Sequence, residues 1–261
     1  MKKVIAIFGA FLVSATMSFA QNNEASSKQQ GNNNDSEIEQ TGIENHAGVT
    51  NQKGNNNEAF IQQGDFGGNF VQSNYAEASI RQVGDRNDAD IQQRQGFDEG
   101  SAVSIHTVEQ IGNDNTGVFT TFNGGNTGMI YQDGNDNFAK GKQASNPDLD
   151  IQITQLGNAN IADVDQRRSY SDVLIRQDGN QNNTTVEQDG TGNFFDEDTK
   201  GSLNVVSAEQ IGENSDAFVD IIGNSNTIGI YQTSDGNTAT SFTQGNGNTV
   251  SITQTNGDHT P

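Results

Sequence analysis

The chain alternates, with a period of two, between residues suited to a core and residues suited to solvent. In residues 87–93, the series Asn, Ala, Ile, Gln occupies alternate positions, and Asp, Asp, Gln fills the positions between them. A similar alternation recurs in residues 160–166, 171–177 and 248–254. Because successive side chains of a strand point to opposite faces, this period predicts β-strands with one buried face. No stretch after residue 20 shows a sustained helical stripe, so we predict an all-β fold.

These strands are separated by a recurring spacing, Gln-x-Gly-x-x-Asn. The Gln ends one strand, the Gly permits the positive φ of a tight reversal, and the Asn opens the next strand. The cycle restarts after 11 residues, which leaves room for one strand of about seven residues and one arc of about four. We therefore predict that the spacing supplies both the arcs and the ladder residues of the fold. Its copies are Gln29-Gly31-Asn34, Gln40-Gly42-Asn45, Gln52-Gly54-Asn57, Gln82-Gly84-Asn87, Gln110-Gly112-Asn115, Gln132-Gly134-Asn137, Gln155-Gly157-Asn160, Gln177-Gly179-Asn182 and Gln188-Gly190-Asn193.

A repeat of this short period predicts a β-solenoid, a stack of small units that contact only their neighbours. Two strand-arc units make one layer of about 22 residues, and about ten layers spaced ~4.8 Å apart give an amyloid-like cross-β column ~48 Å tall. The Gln position recurs at Gln232 and Gln254, whereas other residue types replace Gln at Thr199, Ile221 and Thr243.

A few places depart from the 11-residue step. Six extra residues fall within 94–109, and one extra residue falls near Pro147. Extra residues at such places predict loops that bulge between units. In the early part of the chain the series Gln52, Gln63, Gln82, Gln93 follows with small slips.

Burial of the amide side chains is reasonable only in a stack. A buried amide without a partner costs about 1–3 kcal/mol. When each Gln lies directly above the Gln of the next layer, however, the amides form a hydrogen-bonded ladder. The ladder fixes the register, because a slip of one residue turns the core face outward. Glu197 also falls on the inner face, and we expect residues 194–200 to form a bulged or poorly stacked layer.

Composition narrows the range of partners. The 261 residues are only 30% hydrophobic, with a mean hydropathy of -0.73 and a formal net charge of -21. Such a chain is expected to gain order by stacking rather than around one large core. Its negative charge argues against binding to nucleic acid or to an anionic membrane surface. The sequence has no Cys, which excludes a disulfide or a thiolate metal site.

The first 20 residues differ in kind from the rest. Two lysines precede an apolar run over residues 4–13, and residues 18–20 supply small side chains at the positions that determine cleavage. This pattern predicts a secretory signal peptide, since the run is too short to span a bilayer. We divide the remainder into a short polar segment at 21–28, the repeat region at 29–254 and a tail at 255–261.

Candidates for catalysis are sparse. The sequence places His46 on an outward strand position, His106 on an inward one and His259 at a frayed end. No gathered set of His and Asp accompanies them. We predict that the protein is not an enzyme and has no cofactor, no metal site and no small-molecule substrate.

Acidic pairs leave one alternative open. Pairs such as Asp88/Asp90 and Asp163/Asp165 could bind calcium, or they could form a solvated charged face that keeps the stack soluble. We favour the charged face, because the calcium-binding nonapeptide repeat Gly-Gly-x-Gly-x-Asp does not occur in this sequence.

The extended pattern Ser-x5-Gln-x-Gly-x-x-Asn-x5-Gln resembles the curlin repeat of bacterial curli subunits. Ser171, Gln177, Gly179, Asn182 and Gln188 match it in full, and the likeness covers about residues 29–254. The resemblance implies a secreted subunit that leaves the cell unfolded through an outer-membrane pore. It further implies polymerisation outside a bacterium, with itself or a related curlin subunit and with the help of a nucleator. The resulting functional amyloid (a pilus-like or fimbrium-like fibre) would serve cell adhesion and the biofilm matrix, with the chain as major subunit or nucleator.

One other class of function competes with this interpretation, a monomeric secreted β-solenoid that acts as an adhesin or binding protein. A monomeric solenoid needs polar or helical caps at its ends. The repeats run from Gln29 to Gln254 with no cap visible in the sequence, so we expect both terminal edges to be open to pairing. Growth templated by these edges is the mechanism that we expect.

Overall fold

The computed structural model describes residues 23–41, 46–64, 76–94, 103–122, 124–144 and 148–255. In these ranges twenty β-strands form two parallel sheets of ten strands, with the odd strands in one sheet and the even strands in the other. The prediction of an all-β solenoid with two strands in each layer is confirmed. The strands are β1 Glu24–Gln30, β2 Asp35–Thr41, β3 His46–Lys53, β4 Glu58–Gly64, β5 Ala76–Val83, β6 Asp88–Arg94, β7 Ser104–Asn113, β8 Thr116–Phe122, β9 Thr127–Asn135, β10 Phe138–Ala144, β11 Asp150–Leu156, β12 Ile161–Arg167, β13 Asp172–Asp178, β14 Asn183–Asp189, β15 Phe194–Lys200, β16 Val205–Gln210, β17 Asp216–Ile222, β18 Thr227–Gln232, β19 Thr238–Gln244 and β20 Thr249–Gln254.

Strands two positions apart in the chain pair in register. Gln155 pairs with Gln177, which lies 22 residues later. In the earlier part of the chain, Gln52 pairs with Gln82 across a layer of 30 residues. The pairing of like residues is therefore kept although the length of the layers changes.

All changes in layer length fall at one edge of the stack. The step from the Gln position of an odd strand to that of the next even strand is always 11 residues, as from Gln52 to Gln63. The return step to the odd sheet grows to 19 residues between Gln63 and Gln82 and to 17 residues between Gln93 and Gln110. The prediction of only a small slip before Gln82 is therefore wrong. Extra residues are tolerated at this edge because the strands on either side still meet their partners in register.

Several predictions concern residues outside the described ranges. Among the described residues, no helix is long and apolar enough to cross a membrane. The predictions that lie outside are the signal peptide at 1–20, the arc residues Gly42 and Asn45, the bulging segments at 95–102 and 145–147, and His259.

The arcs require glycine at the position after the strand end. Gly179 has a φ of +144°, and a Cβ at this position would lie 1.8 Å from the carbonyl oxygen of Gly201 in the next layer. The backbone N–H of Gly179 donates to the carbonyl oxygen of Leu156 in the preceding layer at 2.9 Å. Arcs of consecutive layers thus nest on one another as closely as the strands do, which leaves no room for a side chain.

The core is a thin layer between the inner faces of the two sheets. Ile91 and Ile153 are fully buried in it. Where the larger Phe119 enters the even sheet, two glycines adjoin its ring. A Cβ at Gly141 would lie 2.4 Å from the ring and a Cβ at Gly128 would lie 2.7 Å from it. This complementarity of size lets one aromatic ring fit between sheets otherwise packed with Ile, Val and Ala.

Two placements expected from the sequence are corrected. His46 is not outward: it is 1% exposed and lies on the inner face, because the register of β3 aligns it with the buried Ala76. Residues 194–200 are not bulged, since β15 pairs residue by residue with β13 and β17. Glu197 does lie on the inner face, at 1% exposure, and His106 is fully buried.

Candidate functional site: amide ladders along the stack

Glutamines of the odd strands form a continuous ladder over the first seven layers. In each step Nε2 donates to the Oε1 of the next layer at 2.7–3.0 Å. The same amide also donates across the core, as from Gln82 to the carbonyl oxygen of Glu58 at 2.7 Å. Each amide therefore links two layers and two sheets, and its buried polar atoms are paired. The members are Gln29, Gln52, Gln82, Gln110, Gln132, Gln155 and Gln177.

The even strands carry a second glutamine ladder in two runs. The first run goes from Gln40 to Gln93 and the second from Gln166 to Gln254, with Nε2 donating to Oε1 at 2.8–3.0 Å. Thr121 replaces glutamine between the runs. Gln143, one layer after Thr121, donates to the carbonyl oxygens of Thr127 and Leu149 instead of to Gln166. The members with a glutamine neighbour are Gln40, Gln63, Gln93, Gln166, Gln188, Gln210, Gln232 and Gln254.

An unbroken column of asparagines precedes the even strands. Each Nδ2 donates to the Oδ1 of the Asn in the preceding layer at 3.0–3.2 Å. It also donates to an arc carbonyl in the next layer, as from Asn87 to Gly112 at 2.8 Å. Donation along the asparagine column therefore runs opposite to donation along the glutamine ladders. The column consists of Asn34, Asn57, Asn87, Asn115, Asn137, Asn160, Asn182, Asn204, Asn226 and Asn248.

The sequence spacing missed the last three members of this column. It requires a Gln, and the positions before Asn204, Asn226 and Asn248 hold Thr or Ile instead. The shorter spacing Gly-x-x-Asn is kept at all three and is the signal that would have found them. The glycine and asparagine of each arc are thus retained in layers that lose the glutamine.

Asn193, predicted as a ladder residue, lies in the opposite arc. Its backbone N–H donates to the Oγ of Ser171 at 3.1 Å, and its Oδ1 accepts from the backbone N–H of Ser215 at 3.0 Å. Serine alternates with asparagine at this position, so no asparagine column forms there. Among the described residues the two arcs of a layer therefore differ in side-chain chemistry.

His106 bridges the gap that Thr121 leaves in the even ladder. Gln93 Nε2 lies 2.8 Å from His106 Nδ1, and His106 Nε2 lies 2.8 Å from Gln143 Oε1. Since the Gln93 amide donates to Nδ1, these partners assign a neutral ring with its proton on Nε2. Burial lowers the pKa of His106 to about 4, which agrees with a neutral ring at ordinary pH.

Glu197 and two threonines extend the odd ladder past Gln177. Gln177 Nε2 donates to Thr184 Oγ1 at 2.9 Å, and Thr184 in turn donates to Glu197 Oε1 at 2.9 Å. Thr199, which replaces the next glutamine, donates to the same Oε1 at 2.7 Å. Burial raises the pKa of Glu197 to about 7, against the opposing effect of the two hydroxyl donors.

The outer faces carry ion pairs that also join consecutive layers. Lys142 Nζ lies 2.9 Å from Asp165, and Arg176 lies 3.5 Å from Asp198. In each such pair among the described residues, the cation lies on the earlier layer. An exposed pair is worth only about 0–1 kcal/mol, but all of them favour the same register and direction. The other pairs between layers are Arg81–Glu109, Arg86–Asp114, Lys140–Asp163, Arg167–Glu187 and Arg168–Asp189.

The acidic pairs belong to this charged face. Asp163 and Asp165 each meet a lysine of the preceding layer. Burial raises the pKa of Asp88 and of Asp90. In the part of the chain that the structure describes, no group of three or more His, Cys, Asp or Glu side chains is arranged to hold a metal ion.

Comparison with protein-family models identifies a curlin associated repeat at residues 223–255. This segment contains β18, β19 and β20, with the spacing Gly-x-x-Asn at Gly223 and again at Gly245. A search of curated proteins found no match. The family match confirms the resemblance inferred from the sequence: the chain is a curlin-repeat protein.

Proposed function

We propose that this protein is a structural subunit of a curli-like extracellular fibre. It polymerises end to end with itself or with a related curlin subunit, and the fibre serves cell adhesion and the biofilm matrix. The observation that carries the proposal is the fixed direction of hydrogen bonding in the ladders, because this direction makes the two ends of the stack complementary.

At the later end, Gln254 accepts from Gln232 and donates one amide hydrogen to the carbonyl oxygen of Thr238. Its second hydrogen is the donor that, within the stack, bonds the next layer. At the earlier end, Gln40 Oε1 would accept this hydrogen, and Asn34 Nδ2 would donate to Asn248 Oδ1. Head-to-tail stacking therefore continues the glutamine ladder and the asparagine column together, whereas head-to-head stacking would reverse one member of each ladder pair.

The apolar positions at the two ends also correspond. Val250 and Ile252 on the inner face of β20 are only half-buried, as is Ile38 of β2. If Gln254 is set against Gln40, Ile252 meets Ile38. Among the described residues, no strand pairs with the outer edges of β1, β2, β19 or β20. Docking of a second copy would bury these residues and pair two open sheet edges.

The proposal includes a route out of the cell. Residues 1–20 serve as a secretory signal peptide, 21–28 as a short polar segment, 29–254 as the polymerising solenoid and 255–261 as a tail. An outer-membrane pore and a nucleating subunit are partners by resemblance to curli. The net charge of -21 keeps the exported chains apart at first, so salt is expected to accelerate their assembly.

The test is to follow purified protein without residues 1–20 at high concentration with thioflavin fluorescence and electron microscopy. The proposal predicts a lag followed by dye-positive fibres, and a shorter lag at higher salt. A chain that stays soluble and dye-negative for days would contradict fibre formation and would favour the monomeric adhesin.

A further inference from the structure

Glu197 is a carboxylic acid in the middle of an apolar column. It is 1% exposed, and its direct neighbours in the sheet are Ile175 one layer earlier and Val219 one layer later. A charge at this position would be removed from water without the solvation that an exposed carboxylate retains. The position is therefore suited to the neutral form of the acid.

The contacts of Glu197 leave an anion poorly compensated. Oε1 accepts from Thr184 and Thr199, whereas Oε2 is buried without a hydrogen-bond partner. The inward residues of the neighbouring strands β13, β14, β16 and β17 are all uncharged. The charged groups of these strands and of β15 lie on the outer faces: Asp172, Arg176, Asp178, Glu187, Asp189, Asp196, Asp198, Lys200, Glu209, Asp216 and Asp220.

We propose that Glu197 is a proton-dependent latch, so that β13, β15 and β17 close into the stack with the acid protonated and are loosened when it ionises. Closing the layers moves the carboxyl group from water into the apolar column, and one proton is taken up from solvent as this happens. A rise in pH then favours the open chain, in which the carboxylate is hydrated.

The direction of the pH effect follows from the two states. Burial raises the pKa of Glu197 from 4.5 to about 7. Below pH 4.5 the acid is protonated in both states and the contribution to stability is complete. Between the two values only the folded chain holds the proton, so the contribution is lost as pH rises to about 7. Since each pKa unit is a tenfold change, the folding equilibrium constant falls by up to about 300-fold.

The test compares the full chain with Glu197→Gln and Glu197→Leu, both of which remove the titration. Glu209→Gln is the matched control, since it makes the same chemical change on the outer face of β16. Denaturant unfolding is measured by circular dichroism at pH 5.0 and 8.5, at a concentration where the chain is monomeric. The result does not depend on whether the protein forms fibres.

We expect the wild type and Glu209→Gln to lose stability between the two pH values by about 30- to 300-fold more than the two Glu197 variants. The same loss in all four proteins would overturn the proposal. If neither Glu197 variant folds, hydrogen exchange on the wild type decides. Protection in β15 and β17, corrected for the intrinsic rate, must then fall with pH more steeply than in β5 and β7, and an equal fall rejects the latch.

Discussion

The imidazole of His106 and the hydroxyl of Thr121 together occupy the place of one missing glutamine amide. His106 Nε2 lies 2.9 Å from Thr121 Oγ1, and the ring is hydrogen-bonded on both sides, to Gln93 and to Gln143. A histidine on the odd sheet thus completes a ladder that belongs to the even sheet. The polar column along the core is continued by a different side chain where its usual residue type is lost.

This relationship predicts a rescue between the two positions. His106→Ala should destabilise the stack by about 2–4 kcal/mol, because it removes a buried ring and leaves two amides without partners. Adding Thr121→Gln to His106→Ala should recover at least about 1 kcal/mol, because the new amide can bond Gln93 and Gln143 directly. Denaturant unfolding of the single and double variants measures both effects. The outward change Thr120→Ala is the control, and a double variant no more stable than His106→Ala would show that the ring does not act for the amide.

His106 also predicts a loss of stability in acid. Burial lowers its pKa from 6.5 to about 4. Below 6.5 the unfolded chain binds a proton that the folded chain does not bind until about pH 4, so stability is complete above 6.5 and is lost as pH falls. The shift corresponds to about 3 kcal/mol. Unfolding between pH 4 and 6.5 should depend less on pH in His106→Ala than in the wild type; parallel profiles would refute the assignment.

The fit of Phe119 between glycines predicts an effect of one methyl group. Gly141→Ala places a Cβ 2.4 Å from the ring and should destabilise the protein by about 1–3 kcal/mol. Gly229→Ala, on the outer face of β18, meets nothing within 4 Å and should be nearly neutral. Comparable unfolding midpoints for these two variants would mean that the ring has room to move.

The ladders should govern assembly more than the outer charges do. Gln177→Ala removes one amide that bonds two layers and both sheets, whereas Asp163→Ala removes an outer carboxylate paired with Lys140 at 3.3 Å. We expect Gln177→Ala, and likewise Gln254→Ala, to lengthen the thioflavin lag and slow elongation more than Asp163→Ala. Equal lags at matched concentration would remove the ladder from the mechanism.

The architecture could be predicted because the repeat states its local rules many times. The alternation within 87–93 gives the strand and its buried face, and Gly179 gives an arc that admits no side chain. Registration of like residues then follows, since a slip of one residue would expose the core face. These are local constraints, and a sequence displays them directly.

The remaining features depend on contacts between layers. His46 was placed on the wrong face, because the alternation around it could be read in either register until its alignment with Ala76 was known. The regular pairing of β15 depends on Thr184 and Thr199, which reach Glu197 from a different strand and from two residues away. His106 lies 37 residues from Gln143 in the chain, a distance that no local spacing reveals.

The most direct measurement of the central claim is disulfide cross-linking between copies. The natural chain has no cysteine, so any cross-link comes from introduced residues. Head-to-tail stacking with the ladders in register places Thr253 of one copy beside Glu39 of the next, about 4.8 Å apart. Assembled Glu39→Cys/Thr253→Cys protein should therefore give covalent oligomers on oxidation. Glu37→Cys/Thr253→Cys, displaced by ~6.8 Å along the strand, should give far fewer. Equal cross-linking of the two variants, or none in the first, would contradict end-to-end growth by continuation of the ladders.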